Sequence, residues 1–542
     1  MKKFLAMMLV AALFFTGCGT GEKSQQKDEK ENEIPLNIID DKYRNYYEVF
    51  VYSFYDSDGD GIGDLKGLTE KLDYINDGDD TTDTDLGMNG IWLMPIMPST
   101  TYHKYDVTDY YDIDKDYGTM DDFKAFMQEC QSRDIHVIID LVINHTSSKH
   151  EWFTTATDYL KTLEAGEEPD ITVCPYVDYY HFTKEPEGSS FYKVSGTQWY
   201  YEAPFWSEMP DLNLGNEAVR KEIEDIVSYW MDLGVSGFRL DAAKEYYSGQ
   251  TGKNIEVLTW FNDYVKSIDE DAYIVAEVWN DFGTYSQYYE SGIDSVFNFA
   301  FADSSGIITN DLYQSAGQKY GQSTVTVQEK LSAINPNYID APFFTNHDMA
   351  RAAGYFNGDF AAQQTKMAGA MNLLMSGNAF LYYGEELGMS GSGKDENKRA
   401  PMYWSSDEST EGMCDGPSAM DTVKHKYGSL EEQTEDENSI YNFYKEIIKI
   451  RNQNPEVARG TVTYLDEVTD TAICAVKKEY NGSDIVILMN IAKEEKSVLL
   501  DQTTYGDYKI VGAIEATEGT EVKMQEDHTI VLPAYSVVVL KK

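Results

Sequence analysis

Four short stretches of this sequence place charged or imidazole side chains directly after apolar runs. They are Asp140 to His145, Arg239-Leu240-Asp241, Glu277-Val278-Trp279 and Asn346-His347-Asp348. Carboxylate, imidazole and guanidinium groups together are the equipment of proton transfer and nucleophilic attack. A charged residue at the edge of an apolar run often does no more than meet solvent. Four such clusters, carrying carboxylates, two histidines and an arginine, instead call for a scaffold that brings them to one face. A fifth stretch supplies oxygen donors at alternate positions: Asp56, Asp58, Asp60 and Asp64, with the Ile62 carbonyl and a turn at Gly61. That pattern suits a calcium loop. Its twelfth position is Gly67, where an EF-hand needs a bidentate Glu, so it is not an EF-hand; an Asp/Gly turn without metal is the alternative.

The elements that must position these residues follow from the apolar periodicity. Short β-branched or aromatic runs at 48–54, 90–96, 136–144, 237–241, 272–278, 295–299, 342–345 and 379–383 read as strands. Helix-like segments such as 120–133, 217–233 and 360–375 lie between them. Eight strands alternating with helices predict a parallel (β/α)8 TIM barrel, an α/β fold, because parallel neighbours need crossover connections. In such a barrel the chemistry sits at the C-terminal strand ends, where the four clusters fall. One interval after Asn144 is too long for a βα loop and predicts a small inserted domain. After Pro455 strand signals such as 472–476, 485–489 and 536–540 predict a C-terminal antiparallel β-sandwich. The expected division is a barrel at 41–146 and 211–455, an inserted domain at 147–210 and the sandwich at 456–542.

A chain of 542 residues with 42% hydrophobic residues has enough apolar material for such cores. Its net charge of −49 excludes nucleic acid as a partner, since a polyanion is repelled by phosphate. The 41 tyrosines exceed what a core requires and are compatible with stacking on sugar rings. At the N-terminus, Lys2 and Lys3 precede an apolar run at 4–15, too short for a permanent span. It closes on Thr16-Gly17-Cys18, which resembles the lipobox of bacterial lipoproteins, with 1–18 as signal peptide and Cys18 as the lipidated residue. The alternative is an ordinary signal peptide with a chance cysteine. Residues 19–40 then read as a polar tether. The implied location is the extracellular face of a bacterial membrane, lipid-anchored through Cys18. Cys130, Cys174, Cys414 and Cys474 lack metal-like spacing; pairing is open to exported cysteines, and free thiols are the expectation.

Taken in order, the stretches Asp140-Leu-Val-Ile-Asn-His145, Gly237-Phe-Arg-Leu-Asp241, Ala276-Glu-Val-Trp279 and Phe344-Thr-Asn-His-Asp348 resemble the signature regions of the α-amylase family, glycoside hydrolase family 13. The resemblance implies a retaining, two-carboxylate hydrolysis of glucosidic bonds. Asp241 matches the nucleophile, Glu277 the general acid/base, and Asp348 the third carboxylate that holds sugar hydroxyls. Arg239, two residues before Asp241 on the same strand face, orients the nucleophile. His145 and His347 match residues that hydrogen-bond the −1 sugar, and Tyr105 matches the platform beneath it. Lys244 and Trp279 match contacts on the leaving-group side, with barrel packing as the alternative for Trp279. Asp56, Asp58, Asp60, Ile62 and Asp64 resemble the structural calcium loop of the oligo-1,6-glucosidase branch. Asn144 matches one ligand of a second family calcium, where the usual His is Glu245 here.

Within the family the resemblance favours an α-amylase acting internally on α-1,4-linked starch, glycogen or maltooligosaccharides. Ala242 follows the nucleophile, where α-1,6 enzymes carry Val, and Tyr102 stands where exo-glucosidases carry a capping Asp. Met209-Pro-Asp-Leu-Asn213 resembles the motif of the group between oligo-1,6-glucosidases and neopullulanases. Arg399-Ala-Pro-Met-Tyr-Trp404 instead resembles the glucosidase side, which keeps an α-glucosidase or neopullulanase-like enzyme as the alternative. A surface glucan-binding lipoprotein without turnover is the reading from a different class. The expected assembly is a monomer.

Overall fold

Alternation of buried apolar strands with one-sided helices produces a curled parallel sheet in the computed structural model, which describes residues 35–38, 42–164 and 166–542. The sheet runs in the order Phe380–Tyr382, Tyr46–Val49, Gly90–Leu93, His136–Leu141, Gly237–Leu240, Tyr273–Ala276 and Ser295–Val296. Every pairing along it is parallel. Parallel bridges from Phe297 to Ala341 and from Phe343 to Phe380 close the ring, so 341–343 fills the remaining position of a (β/α)8 barrel. The expected strand at 342–345 therefore survives only as single bridges. Pro342 has no N–H to give a ladder, which accounts for the interruption.

Helices on the outside of the sheet bury one stripe. Met120–Ser132 starts from a Thr119/Asp122 capping box and buries Phe123, Phe126, Met127 and Cys130. Glu217–Asp232 is capped by Asn216 and buries Val219, Ile223, Ile226, Val227 and Trp230. Ala361–Leu373 is covered on nearly every side. At Gly369 an added Cβ would lie 2.2 Å from Tyr444 Cζ, so only glycine lets the helix Ile440–Gln453 approach this closely.

The long interval after the third strand holds a helix, Glu151–Thr162, and a three-stranded antiparallel sheet of Phe182–Thr183, Tyr200–Glu202 and Phe191–Lys193. Beyond the barrel, Thr461–Tyr464, Ile473–Tyr480, Ser483–Asn490, Ser536–Lys541 and Lys509–Glu515 form a five-stranded antiparallel sheet. It shares a second core with a three-stranded sheet, through residues such as Val486, Leu488, Val498 and Ile530. A short helix, Gln502–Tyr505, interrupts these strands, where the sequence carries no helical signal. Cys130, Cys174, Cys414 and Cys474 are free and buried. Cys18 and the expected signal segment lie outside the described residues.

Candidate active site

Strand register builds the site. Asp140 lies opposite Arg239 across neighbouring parallel strands, and both side chains are fully buried. Arg239 Nη1 donates to both oxygens of Asp140, at 2.9 and 3.0 Å, and to Asp241 Oδ1 at 2.7 Å. Its Nη2 lies 3.1 Å from Glu277 Oε2. One guanidinium thus anchors three carboxylates from three strand ends. Glu277 Oε2 also accepts the Ala242 backbone N–H at 3.0 Å, and Ala242 takes a left-handed conformation, φ 44°, to present it. Burial pushes the Glu277 carboxyl up; Arg239 opposes this, while Asp241 and Asp348 add to it. A carboxyl pushed up in this way is suited to give a proton.

Asp348 is held differently. Arg399 Nη2 approaches its Oδ1 at 2.8 Å, and His347 Nε2 lies 3.2 Å from Oδ2. Burial would raise this carboxyl, but the His347 and Arg399 charges hold it well below the usual carboxylate range. The two groups are therefore pushed in opposite directions, the arrangement that assigns acid and anion roles. Tyr105 joins the network from beneath: its hydroxyl donates to Asp140 Oδ2 at 3.0 Å and lies 2.8 Å from His347 Nε2. Its ring stacks on His347, with centroids 5.6 Å apart. His145 sits 3.2 Å from the Tyr105 carbonyl, and burial keeps its imidazole down.

The loop that aims Tyr105 turns at Lys104, φ 65°. The Lys104 ammonium is buried and ion-pairs with Asp114 at 3.0 Å and Asp116 at 2.9 Å. With its charge tied inward, the flanking His103 and Tyr105 face the cleft. Tyr102 stands beside them and its hydroxyl accepts from Arg399 Nη1 at 3.1 Å.

Asp241, Glu277, Asp348, Tyr105, His145, Lys244 and Trp279 all line one cleft, while Arg239 and His347 lie fully buried beneath it. Trp279 is 42% exposed and stacks on Phe299 at 5.4 Å, so it serves both cleft and packing. Phe205, 50% exposed, also lines the cleft and comes from the inserted segment. Lys244 lies 3.5 Å from Glu245.

A family model described as "Alpha amylase, catalytic domain" matches residues 48–460. The chain belongs to the α-amylase family. The solved structure of Eubacterium rectale Amy13B superposes with a TM-score of 0.89 at 52% identity, covering 94% of this chain and 97% of that one. "Alpha-amylase 3" of Dictyoglomus thermophilum is 38% identical over 84% of this chain and 86% of its own length. "Oligo-1,6-glucosidase" of Parageobacillus thermoglucosidasius is 27% identical over 83% and 90%. The protein is accordingly a glycoside hydrolase of the α-amylase family.

Away from the cleft of this α-amylase-family barrel, the Asp56 loop folds as a ring of backbone N–H groups bound to its own carboxylates. Asp56 accepts from Asp58, Gly59 and Gly61, and Asp64 accepts from Ser57 and Gly67. Asp56, Asp58 and Asp64 each bring a carboxylate oxygen within 4.8 Å of the others, a hard, all-oxygen donor set. Asp60 is outside that trio and accepts from the Ile62 N–H. The loop is clamped by two backbone bonds, Asp56 N–H to the Gly412 carbonyl and Asp415 N–H to the Gly61 carbonyl. Near Asn144, its amide donates to Asp211 Oδ1 at 2.9 Å. Among the described residues no second trio of metal-ligating side chains forms there.

Asp140, Arg399, Lys104 and Glu48 belong to the network although the motifs alone assign them no role. The signal at Glu48 is a lone carboxylate inside the apolar run Tyr46–Val49.

Proposed function

We propose that this enzyme is a retaining endo-α-amylase that cleaves α-1,4-glucosidic bonds in starch, glycogen or maltooligosaccharides. The observation that carries the reading is the Arg239 hub, which holds Asp241 and Glu277 on one guanidinium. Two carboxylates on one guanidinium are near neighbours, which supports a retaining pair, whose carboxyls stand about 5–5.5 Å apart, over an inverting one with its wider gap for a water. Asp241 attacks the anomeric carbon while Glu277 gives its proton to the glycosidic oxygen. The C1–oxygen bond breaks, and a covalent glycosyl-aspartate forms with inverted configuration. Glu277, now ionised, takes a proton from water; the water oxygen attacks C1, Asp241 departs and the α configuration is restored. Asp348, His347 and His145 bind hydroxyls of the reacting sugar, and the Tyr105 ring supports it. Lys244 and Trp279 contact the leaving chain.

Ala242 and the Tyr102–Arg399 contact support internal attack, because no carboxylate from position 102 closes the cleft around a chain end. The oligo-1,6-glucosidase relative and the Arg399 segment support the alternative, an α-glucosidase or neopullulanase-like enzyme. The Asp56, Asp58 and Asp64 carboxylates, with the Ile62 carbonyl and Asp60, would hold calcium as a structural ion that takes no part in the chemistry. Cys18 would carry the lipid that tethers the enzyme to the outer face of the membrane. A Cys18→Ser chain that still fractionates with membranes overturns the tether.

Product analysis on amylose with blocked non-reducing ends tests the main reading, with Asp241→Asn as control. Short α-anomeric maltooligosaccharides, absent with the variant, are expected. Glucose from maltotriose with no attack on blocked chains would move the enzyme to the α-glucosidases. Binding without turnover would make it a glucan-binding protein.

A further inference from the structure

Glu48 takes no part in the chemistry described so far, yet it is built into the floor of the site. It lies in the first strand between Tyr47 and Val49, with its side chain 2% exposed. Its Oε1 accepts from His347 Nδ1 at 2.6 Å, joining residues 299 positions apart. A buried carboxylate on an apolar strand is unfavourable unless a charged partner compensates it, and His347 is the group it touches.

The other edge of the His347 ring is equally constrained. Nε2 faces Asp348 Oδ2 at 3.2 Å and the Tyr105 hydroxyl oxygen at 2.8 Å. The single proton of that hydroxyl is directed to Asp140 Oδ2, so its oxygen is an acceptor towards the ring. A neutral imidazole offers one donor and one acceptor nitrogen. Here both nitrogens face acceptors, and only the doubly protonated ring satisfies them all. The remaining neighbours agree with this. Trp92 meets the ring edge-on at 5.8 Å and offers it no acceptor. Arg399 donates to the His347 carbonyl at 3.3 Å, and Arg239 Nη1 donates to the Tyr105 hydroxyl at 3.5 Å as well as to Asp140. Burial would lower His347, but Asp348 and Glu48 outweigh it and raise the imidazole to about 9.

We propose that Glu48 is a positioning residue that keeps His347 doubly protonated, so that Nε2–H is always presented towards Asp348 and the sugar hydroxyl bound there. The inference rests on the reading of the cleft as a sugar site and adds a charge-setting role to its floor. Glu48 never touches substrate. Together with Asp348 it sets the charge of the ring, and thereby whether the contact to the sugar is charge-assisted.

The test is Glu48→Gln, which keeps an acceptor for Nδ1–H but removes the charge. Histidine-labelled protein is titrated by NMR between pH 5 and 10, and the His347 ring signals are assigned with His347→Asn among the 8 histidines. In the unaltered chain His347 is expected to remain an imidazolium at pH 7.5, and in Glu48→Gln to lose its second proton at a lower pH than in the parent. Turnover of the variant on maltooligosaccharides should fall about tenfold, the difference between a charged and a neutral hydrogen bond. A neutral His347 in the unaltered chain at pH 7.5 overturns the proposal, even if the variant fails to fold. A variant whose His347 titrates at the same pH as in the parent also overturns it. The titration needs no turnover, so an enzyme inactive on α-glucans would refute the sugar reading and leave the Glu48 result to stand or fall alone.

Discussion

Replacing Lys104 by Met tests how the platform tyrosine is held. The ammonium is 3% exposed and pairs with Asp114, itself 5% exposed, while Asp116 is a quarter exposed and also meets Lys115. Asp116 therefore counts little. Removing one partner of a buried pair leaves the other charge uncompensated, at about 3–5 kcal/mol. A folded body of about 500 residues, at about 2.1 cal/mol/K each, unfolds with an entropy near 1 kcal/mol/K. The melting midpoint should thus fall by about 3–5 °C in calorimetry at fixed scan rate and fixed calcium. Lys104→Gly loses the same pair but relieves the left-handed backbone, φ 65°, by about 1 kcal/mol, so it should melt about 1 °C above the Met variant. Both should lower kcat/KM, because Tyr105 follows directly. A Met variant melting within 1 °C of the unaltered chain refutes the buried-pair argument, and a Gly variant no better than Met refutes the strain argument.

Further outcomes follow from the same geometry. Glu277→Gln should lower kcat by about 10²–10⁴, measured on a chromogenic maltooligosaccharide. Because burial raises the Glu277 carboxyl, the acid form persists above the usual carboxylate range and is lost as pH rises, so the alkaline limb of kcat/KM should lie well above 4.3; a limb at that ordinary value would contradict the assignment. Arg399→Met removes one of the cations that hold Asp348 down. The depressed carboxyl contributes stability above its unfolded value, lost only as pH falls through its folded one; the variant should lose both stability and activity at a higher pH than the parent on acidification. Chelation should lower the melting midpoint without altering the product pattern, and Asp58→Asn should reproduce most of that loss, read by calorimetry with and without added calcium.

The parts of the site visible in the sequence were those where a strand ends on its own functional residue. Asp241, Glu277 and Asp348 each follow an apolar run, so period and position reveal them together. Glu48 and Arg399 escape that logic because they act through partners 299 and 51 residues away. The helix Glu151–Thr162 was hidden for another reason. Its buried residues, Trp152, Phe153, Ala156, Thr157 and Leu160, have helical spacing but stand among the polar and aromatic residues of an interval whose length predicts an inserted domain without marking its elements. The segment at 342–345 is legible as apolar, but Pro342 within it breaks the ladder that the apolar pattern predicts.

The closure of the barrel also fixes an order of assembly. Tyr46 and Tyr47 pair with Phe380 and Leu381, and the Asp56 loop is clasped by Gly412 and Asp415. A ribosome delivering the chain from its N-terminus releases these early residues more than 300 positions before their partners exist. Until then one edge of the first strand has no neighbour, and an unpaired apolar edge invites association with other chains. The newborn chain therefore has a long window of vulnerability that ends only when residues 380–415 arrive to shut the ring.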